Sequence, residues 1–257
     1  MRKPIFRVAF LAASIMLALV ALPRPSQAEG APDAERARIE AIVKDYLLAH
    51  PEVVVDALGE FEKRQKAEDQ RQASAAIVDN RAQLISEKGG GVAGNPKGDV
   101  TLVEFFDYRC GYCRQAKPMV ADLLKAEPGL RLVYKEFPIL GPDSLAAARA
   151  ALAARKQGTD KYVPFHGALM NTRGTLDEAA IRAAARSVGL DADKLMRDAA
   201  DPAIDQELKD NHALAAKLGI NGTPSFVIGN NLLPGVGDLA ELRRLVADAR
   251  ATCKGSC

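Results

Sequence analysis

Two cysteines two residues apart, Cys110-Gly111-Tyr112-Cys113, are the side chains of this 257-residue chain best suited to covalent chemistry. They follow an apolar run, Thr101-Leu102-Val103-Glu104-Phe105-Phe106, and precede a segment from Arg114 that reads as a helix. A dithiol at a strand-to-helix junction points to disulfide exchange. An ordinary thiol, with a pKa of about 8.5, is only a few per cent ionised at neutral pH, whereas exchange requires the thiolate. A helix starting at Cys110 would aim its unpaired first-turn N–H groups and the positive end of its dipole at that sulfur. The dipole supplies ~0.3–1 kcal/mol, less than the ~1.4 kcal/mol of one pKa unit, so amide hydrogen bonds must add to it. Cys110 is therefore the expected nucleophile, and Cys113, one turn later and deeper, the expected resolving thiol.

A CxxC pair can also be half of a zinc site, which needs a second ligand pair at suitable spacing. The other cysteines are Cys253 and Cys257, and the histidines His50, His166 and His212 form no such pair, so no metal is expected at the dithiol. Cys253 and Cys257 can form a small disulfide only where the terminal helix has ended. Helical neighbours four apart keep their Cβ atoms ~5–6 Å apart, against ~3.8 Å in a disulfide. Lys254-Gly255-Ser256 could provide the break, and a copper(I) site at the two thiolates is the functional alternative. His166 and His212 read as surface or packing residues, and His50, before Pro51, as a helix boundary.

The elements that must position the dithiol begin with an N-terminal leader. Arg2, Lys3 and Arg7 precede an apolar run over residues 8–22, and Ser26-Gln27-Ala28 has the small residues of a cleavage site. Those 15 residues are short against the ~20 needed to span a bilayer, so residues 1–28 are expected to be a signal peptide directing export to an oxidising compartment. The chain holds 35 Lys and Arg against 33 Asp and Glu; removing the leader's four basic residues leaves 31 against 33, or −2. That balance argues against a nucleic-acid partner.

Residues 33–88 have a pattern of their own. Ile39, Ile42, Val43, Tyr46 and Leu47 form one helical stripe, Pro51 suits the first position of a second helix, and Val54, Leu58 and Phe61 continue the pattern. A second helix unbroken to about residue 87 would be roughly 55 Å long with a polar middle, which is a stalk. The apolar stripe needs a partner surface, so self-association through residues 33–61 is expected, with a cap folded back on the C-terminal domain as the alternative. Gly89-Gly90-Gly91 and Gly94-Asn95-Pro96-Lys97-Gly98-Asp99 read as the boundary.

Beyond it, residues 100–107 read as a buried strand, 113–126 as a helix and 130–137 as a second strand. An alanine-rich helical insertion spans about 142–219, with helix starts at Thr175 and around Asp191 and turns near Gly158 and Gly174. A strand opened by Thr223-Pro224, a turn at Asn230-Asn231, a short partner strand and a closing helix from Asp238 complete an α/β layer fold.

The run from Glu104 to Cys113, the helical insertion and Gly222-Thr223-Pro224-Ser225-Phe226, in that order, resemble thioredoxin-fold thiol–disulfide oxidoreductases of the bacterial periplasmic DsbA type. With the N-terminal helices and the Cys-Gly-Tyr-Cys site, the chain looks most like the suppressor-of-copper-sensitivity C proteins and related oligomeric disulfide isomerases. The resemblance implies an α/β thioredoxin fold with a helical insertion, preceded by an N-terminal helical stalk. Its organisation is then 1–28 signal peptide, 29–96 oligomerisation stalk and linker, and 97–257 catalytic domain.

It further implies a cis peptide at Pro224, which would set the Thr223 backbone beside Cys110 to pair with an extended substrate segment. Glu104 matches the buried acid that moves the proton of the resolving thiol, with Lys135 on the neighbouring strand as its candidate partner. Gly111 and Tyr112 lack the proline and histidine of the strongly oxidising relatives, which implies a weaker oxidant and favours isomerase or reductase work over oxidation. The implied partners are exported cysteine-containing proteins, a membrane thiol reductase as electron donor, and further copies of the chain, a trimer being the candidate number. No cofactor beyond the redox dithiol is implied. A disulfide oxidase, or a copper-binding or chaperone-like oligomer in metal tolerance, are the alternatives.

Overall fold

The computed structural model describes residues 33–253, with side chains through residue 252. The expected signal peptide, residues 1–28, lies outside the described residues, as do Cys257 and the side chain of Cys253. The chain divides into two units, residues 1–60 and 61–257.

In the first unit, helix α1 spans Asp33–Ala49, and helix α2, Glu52–Asp79, begins just after Pro51. The apolar stripe forms as the spacing requires but is left uncovered: Ile42 is 58% exposed, Tyr46 53% and Leu58 56%. In the second unit α2 stops at Asp79, short of the expected residue 87, and its 28 residues span about 42 Å rather than 55. Asn80 breaks the helix, its side-chain amide donating back to the Ala76 carbonyl at 2.8 Å, and a short helix α3, Arg81–Leu84, comes next. The break lets Ile77 and Leu84 join a buried cluster with Val103, Phe105, Val133 and Leu218.

The glycine-rich stretch expected to be a boundary instead carries a strand, β1, Val92–Gly94. It pairs antiparallel with β3, Leu130–Glu136. Gly90 lies so close to the Tyr134 carbonyl oxygen that a Cβ there would sit 1.7 Å from it, so glycine is required for the approach rather than for slack.

The sheet runs β1-β3-β2-β4-β5, with β2 at Val100–Phe106, β4 at Ser225–Ile228 and β5 at Asn231–Pro234. Strands β2 and β3 are parallel, joined by helix α4, Gly111–Ala126; β4 returns antiparallel on the other side of β2. Being central, β2 is buried along its whole length, which is why it reads as a continuous apolar run with a single acid.

The insertion comprises α5 (Pro142–Ala154), α6 (Tyr162–Asn171), α7 (Glu178–Ser187), α8 (Ala192–Asp198) and α9 (Pro202–Lys217). Asp177, not Thr175, caps α7 by accepting from the Ala180 amide at 2.8 Å, because a carboxylate one residue before the first turn outcompetes a hydroxyl placed two residues too early. Asp191 caps α8 as expected, and Asp238 caps the closing helix α10, Leu239–Cys253, through the Glu241 amide at 2.7 Å. Since α10 reaches Cys253, any break toward Cys257 starts no earlier than residue 254. The tail disulfide and its copper alternative thus fall on atoms outside the described residues.

Candidate active site

Cys110 stands at the N-cap of α4 with extended backbone, φ −70° and ψ 116°, but no first-turn amide donates to its sulfur, so the expected amide hydrogen bonds are not made there. The Arg114 amide closes that turn on the Cys110 carbonyl at 3.2 Å. Cys113 sits one turn later and is the deeper of the two, 1% exposed against 6% for Cys110. Between them Gly111 has no neighbouring atom within 4 Å of where a Cβ would stand, and Tyr112 is 66% exposed. The dithiol therefore presents one accessible edge, with Cys113 screened behind it.

The Thr223-Pro224 peptide is cis. It turns the Thr223 carbonyl toward the dithiol, and the Cys110 thiol donates to it at 3.1 Å. Residues 110 and 223 come together because β4 lies antiparallel on β2, the strand that feeds the Cys110 loop.

Glu104 lies mid-strand in β2, opposite Tyr134 on β3 and Phe226 on β4. Only 4% of it is exposed, and burial alone pushes its carboxyl up to about 8. Its charge in turn acts on Cys113, whose thiol is pushed far above its ordinary value, first by burial and then by Glu104 and Cys110. A buried carboxyl raised toward neutrality is thus electrostatically linked to the buried thiol of the pair.

Lys135 is not its partner. The β2–β3 register puts Lys135 opposite Phe105, one residue out of step with Glu104, so the two side chains leave opposite faces of the sheet. The Lys135 ammonium instead donates to the carbonyls of Gln83, Ser86 and Lys88, at 3.0, 2.6 and 2.8 Å. Burial lowers it to about 8, while three carbonyl acceptors favour its charged form.

Several residues without an expected role surround the site. The Asp107 carboxylate accepts from the Arg109, Ile139 and Leu140 amides and the Ser144 hydroxyl, at 2.7, 2.8, 3.0 and 2.7 Å. Glu136 accepts at Oε1 from the Tyr108 and Tyr162 hydroxyls, at 2.9 and 2.6 Å, and burial raises it to about 8. Asp107 was visible in sequence as an acid between a strand end and the dithiol, but three of its four partners lie more than thirty residues away and carry no local signal. His166 packs against Phe106 and Tyr134, ring centroids 4.7 and 4.2 Å away, and burial drives it down to about 3, so it is neutral at pH 7. His212 rests on the Phe137 ring, and His50 ends α1. Among the described residues, no group of three or more His, Cys, Asp or Glu side chains is arranged to hold a metal ion.

The DSBA-like thioredoxin domain family matches residues 101–247. The copper resistance protein ScsC N-terminal domain family matches residues 35–68. Among solved structures, a thioredoxin-like oxidoreductase from Silicibacter pomeroyi is 50% identical, with a TM-score of 0.64 over 67% of this chain and 99% of that one. Proteus mirabilis ScsC in a transitional conformation is 29% identical, with a TM-score of 0.63 over 86% of this chain and 99% of that one. Among curated proteins, the Na(+)/H(+) antiporter NhaA 3 of Salinispora tropica is 28% identical over 184 residues, which are 71% of this chain but 28% of the antiporter. The chain thus spans only about a quarter of the length of the first curated relatives it matches.

Proposed function

The chain belongs to the DSBA-like thioredoxin domain family, and on that premise we propose that it is an exported thiol–disulfide oxidoreductase that works as a disulfide isomerase or reductase. The Cys110 thiolate attacks a substrate disulfide and forms a mixed disulfide, which is then released by another substrate thiol or by Cys113. The single observation that carries this reading is the 3.1 Å contact of the Cys110 sulfur with the carbonyl of the cis Thr223-Pro224 peptide. It sets the nucleophile beside a backbone edge on which an extended, cysteine-containing segment can pair.

The isomerase or reductase direction is supported by Gly111 and Tyr112, which offer neither proline nor histidine to favour strong oxidation, and by the similarity of residues 35–68 to the ScsC N-terminal domain. In this reading the periplasm is the compartment and a membrane thiol reductase keeps Cys110 reduced. Copies of the chain associate through the exposed stripe of residues 33–61, bringing several active sites to one misbridged substrate.

Refolding of a scrambled-disulfide protein tests the assignment. The parent restores native pairing, Cys110→Ser abolishes that activity, and an active Cys110→Ser variant would sink the claim. In the same assay, protein lacking residues 29–60 should be monomeric by light scattering and poorer at isomerisation; an unchanged mass would end the association reading. The cut at residue 60 leaves the buried Ile77 and Leu84 in place.

A further inference from the structure

The first turn of a helix favours negative side chains, because its unpaired amides hold the positive end of the dipole. Helix α4 departs from that preference at the dithiol. It has no acid in its first turn, its leading end carries Arg114 and Lys117, and Arg109 precedes it in the loop. Arg114 and Lys117 follow Cys110 by four and seven residues, the spacing of one helix face. Cations so placed work against the helix, and local preferences are overridden chiefly where a site has another use for the residue.

Arg114 is tied to the dithiol loop at two points. Its amide donates to the Cys110 carbonyl at 3.2 Å, and its Nη2 turns back to donate to the Tyr108 carbonyl at 3.0 Å. The guanidinium is thus held against the residues that lead into Cys110. Its partner there is a neutral oxygen and its Nε is buried without an acceptor, so among the described residues no carboxylate meets its charge. Lys117 likewise spends its ammonium on neutral oxygens of α6, the Gly167 carbonyl at 3.0 Å and the Asn171 side chain at 2.8 Å. Arg109 has an acid within reach, Asp143 at 3.7 Å, and both stay partly exposed. The neighbouring segments add no negative charge. Helix α6 holds no Asp or Glu, and residues 218–237, which include the cis peptide beside Cys110, hold no charged side chain. Asp107 and Glu104 are buried. Across these segments Arg109, Arg114 and Lys117 are set against Asp143.

We propose that this face selects disulfides flanked by carboxylates, with Arg114 as the specificity-determining residue whose guanidinium takes a carboxylate of the incoming segment. The inference deepens the thiol-exchange reading and rests on it. In the step, the Cys110 thiolate bonds to one substrate sulfur, the substrate S–S bond breaks, and the second sulfur leaves as a thiolate. Arg114 keeps its charge throughout. Its attraction acts as the anionic segment approaches and docks, and dissolved salt screens it.

The test follows the loss of free dithiol from the reduced protein, by acid quench, alkylation and mass spectrometry. Three probes are compared: glutathione disulfide, which is anionic, hydroxyethyl disulfide, which is uncharged, and cystamine, which is cationic. Measured against the uncharged probe, the parent's rate with glutathione disulfide should fall as salt is added, and its rate with cystamine should rise. In Arg114→Gln the ratio of anionic to uncharged rates at low salt should drop about fivefold, the size of one partly exposed ion pair. Arg114→Lys, which keeps the charge, should recover most of that ratio. A merely structural role for Arg114 would slow both probes alike and leave the ratio where it was. A folded Arg114→Gln variant with the parent's ratio therefore overturns the inference. Should that variant not fold, parent rate ratios that stay flat with salt overturn it equally. A parent protein that reacts with none of the three probes overturns the exchange reading, and this inference with it.

Discussion

Strand β3 buries Lys135 on one face of the sheet and Glu136 on the other, and the two charges are met in different ways. Lys135 is 1% exposed and has each N–H donor on a backbone carbonyl, from Gln83, Ser86 and Lys88. Around it Arg131 takes the Ile85 carbonyl, Arg155 those of Glu87 and Gly90, and Asn211 that of Gly89. The stretch between α3 and β1 is thereby stapled to the sheet by its carbonyls. On the opposite face, Glu136 keeps Oε2 without a partner, and Glu104, in the row of Tyr134, has burial alone acting on its carboxyl. A buried charge whose hydrogen bonds are complete anchors the fold, whereas a buried carboxyl left short of partners holds its proton up to near neutral pH and is available for proton transfer.

That contrast predicts different losses on the two faces. The largest is in stability: Lys135→Met should leave three carbonyls without donors and, at ~1–3 kcal/mol for each buried unsatisfied group, lower stability by about 3 kcal/mol or more. The urea midpoint should fall with the slope unchanged, and mixed-disulfide formation by the folded fraction should be little altered. An unshifted midpoint would show the staple to be dispensable. Next in size, Glu104→Gln removes, at nearly constant volume, the carboxyl expected to accept the Cys113 proton. Resolution by Cys113 should slow by about a hundredfold at pH 7, as expected for loss of general base help. Equal rates for Glu104→Gln and parent in the collapse of a Cys110–glutathione mixed disulfide to the Cys110–Cys113 disulfide, followed by acid quench and mass spectrometry, would deny Glu104 that role.

The smallest effect is a difference of sign in the pH dependence of stability. Glu104 and Glu136, raised from 4.5 to about 8, hold protons in the folded chain that the unfolded chain has released. Their contribution is complete below pH 4.5 and is lost as pH rises through about 8. Lys135, lowered from 10.5 to about 8, works the other way, since the unfolded chain binds the extra proton and stability from this group rises with pH across that window. Urea midpoints measured across pH should show Glu104→Gln flattening the lower window and Lys135→Met the upper one. Three parallel curves would mean that neither group's titration is linked to folding.

Much of the scaffold was legible from local pattern. The β2 run, the amphipathic α4 and the caps at Asp191 and Asp238 arise from periodicity and side-chain chemistry within a few residues. Strand β1 was not, because three residues flanked by glycines carry no period, and its existence depends on β3 lying beside it. The end of α2 was missed for a related reason: the break comes where Ile77 and Leu84 enter a core built from distant strands, which local spacing does not show. At the site, the dithiol, Thr223-Pro224 and Glu104 could be named from sequence, whereas Glu136 and, but for the Arg109 amide, Asp107 acquire their partners across the fold.

The amino-acid sequence by itself determined which groups could carry the chemistry. Two thiols spaced one helical turn apart after a strand, and an acid within that strand, are consequences of residue type and short-range spacing. Tertiary structure decided which of these groups meet. Side chains alternate across a strand, so the one-residue offset between Glu104 and Lys135 in the β2–β3 register sends them to opposite faces. Register is set by the packing of the whole sheet. The same packing delivers the Thr223 carbonyl to Cys110 across 113 residues of chain, and three of the four donors that hold Asp107.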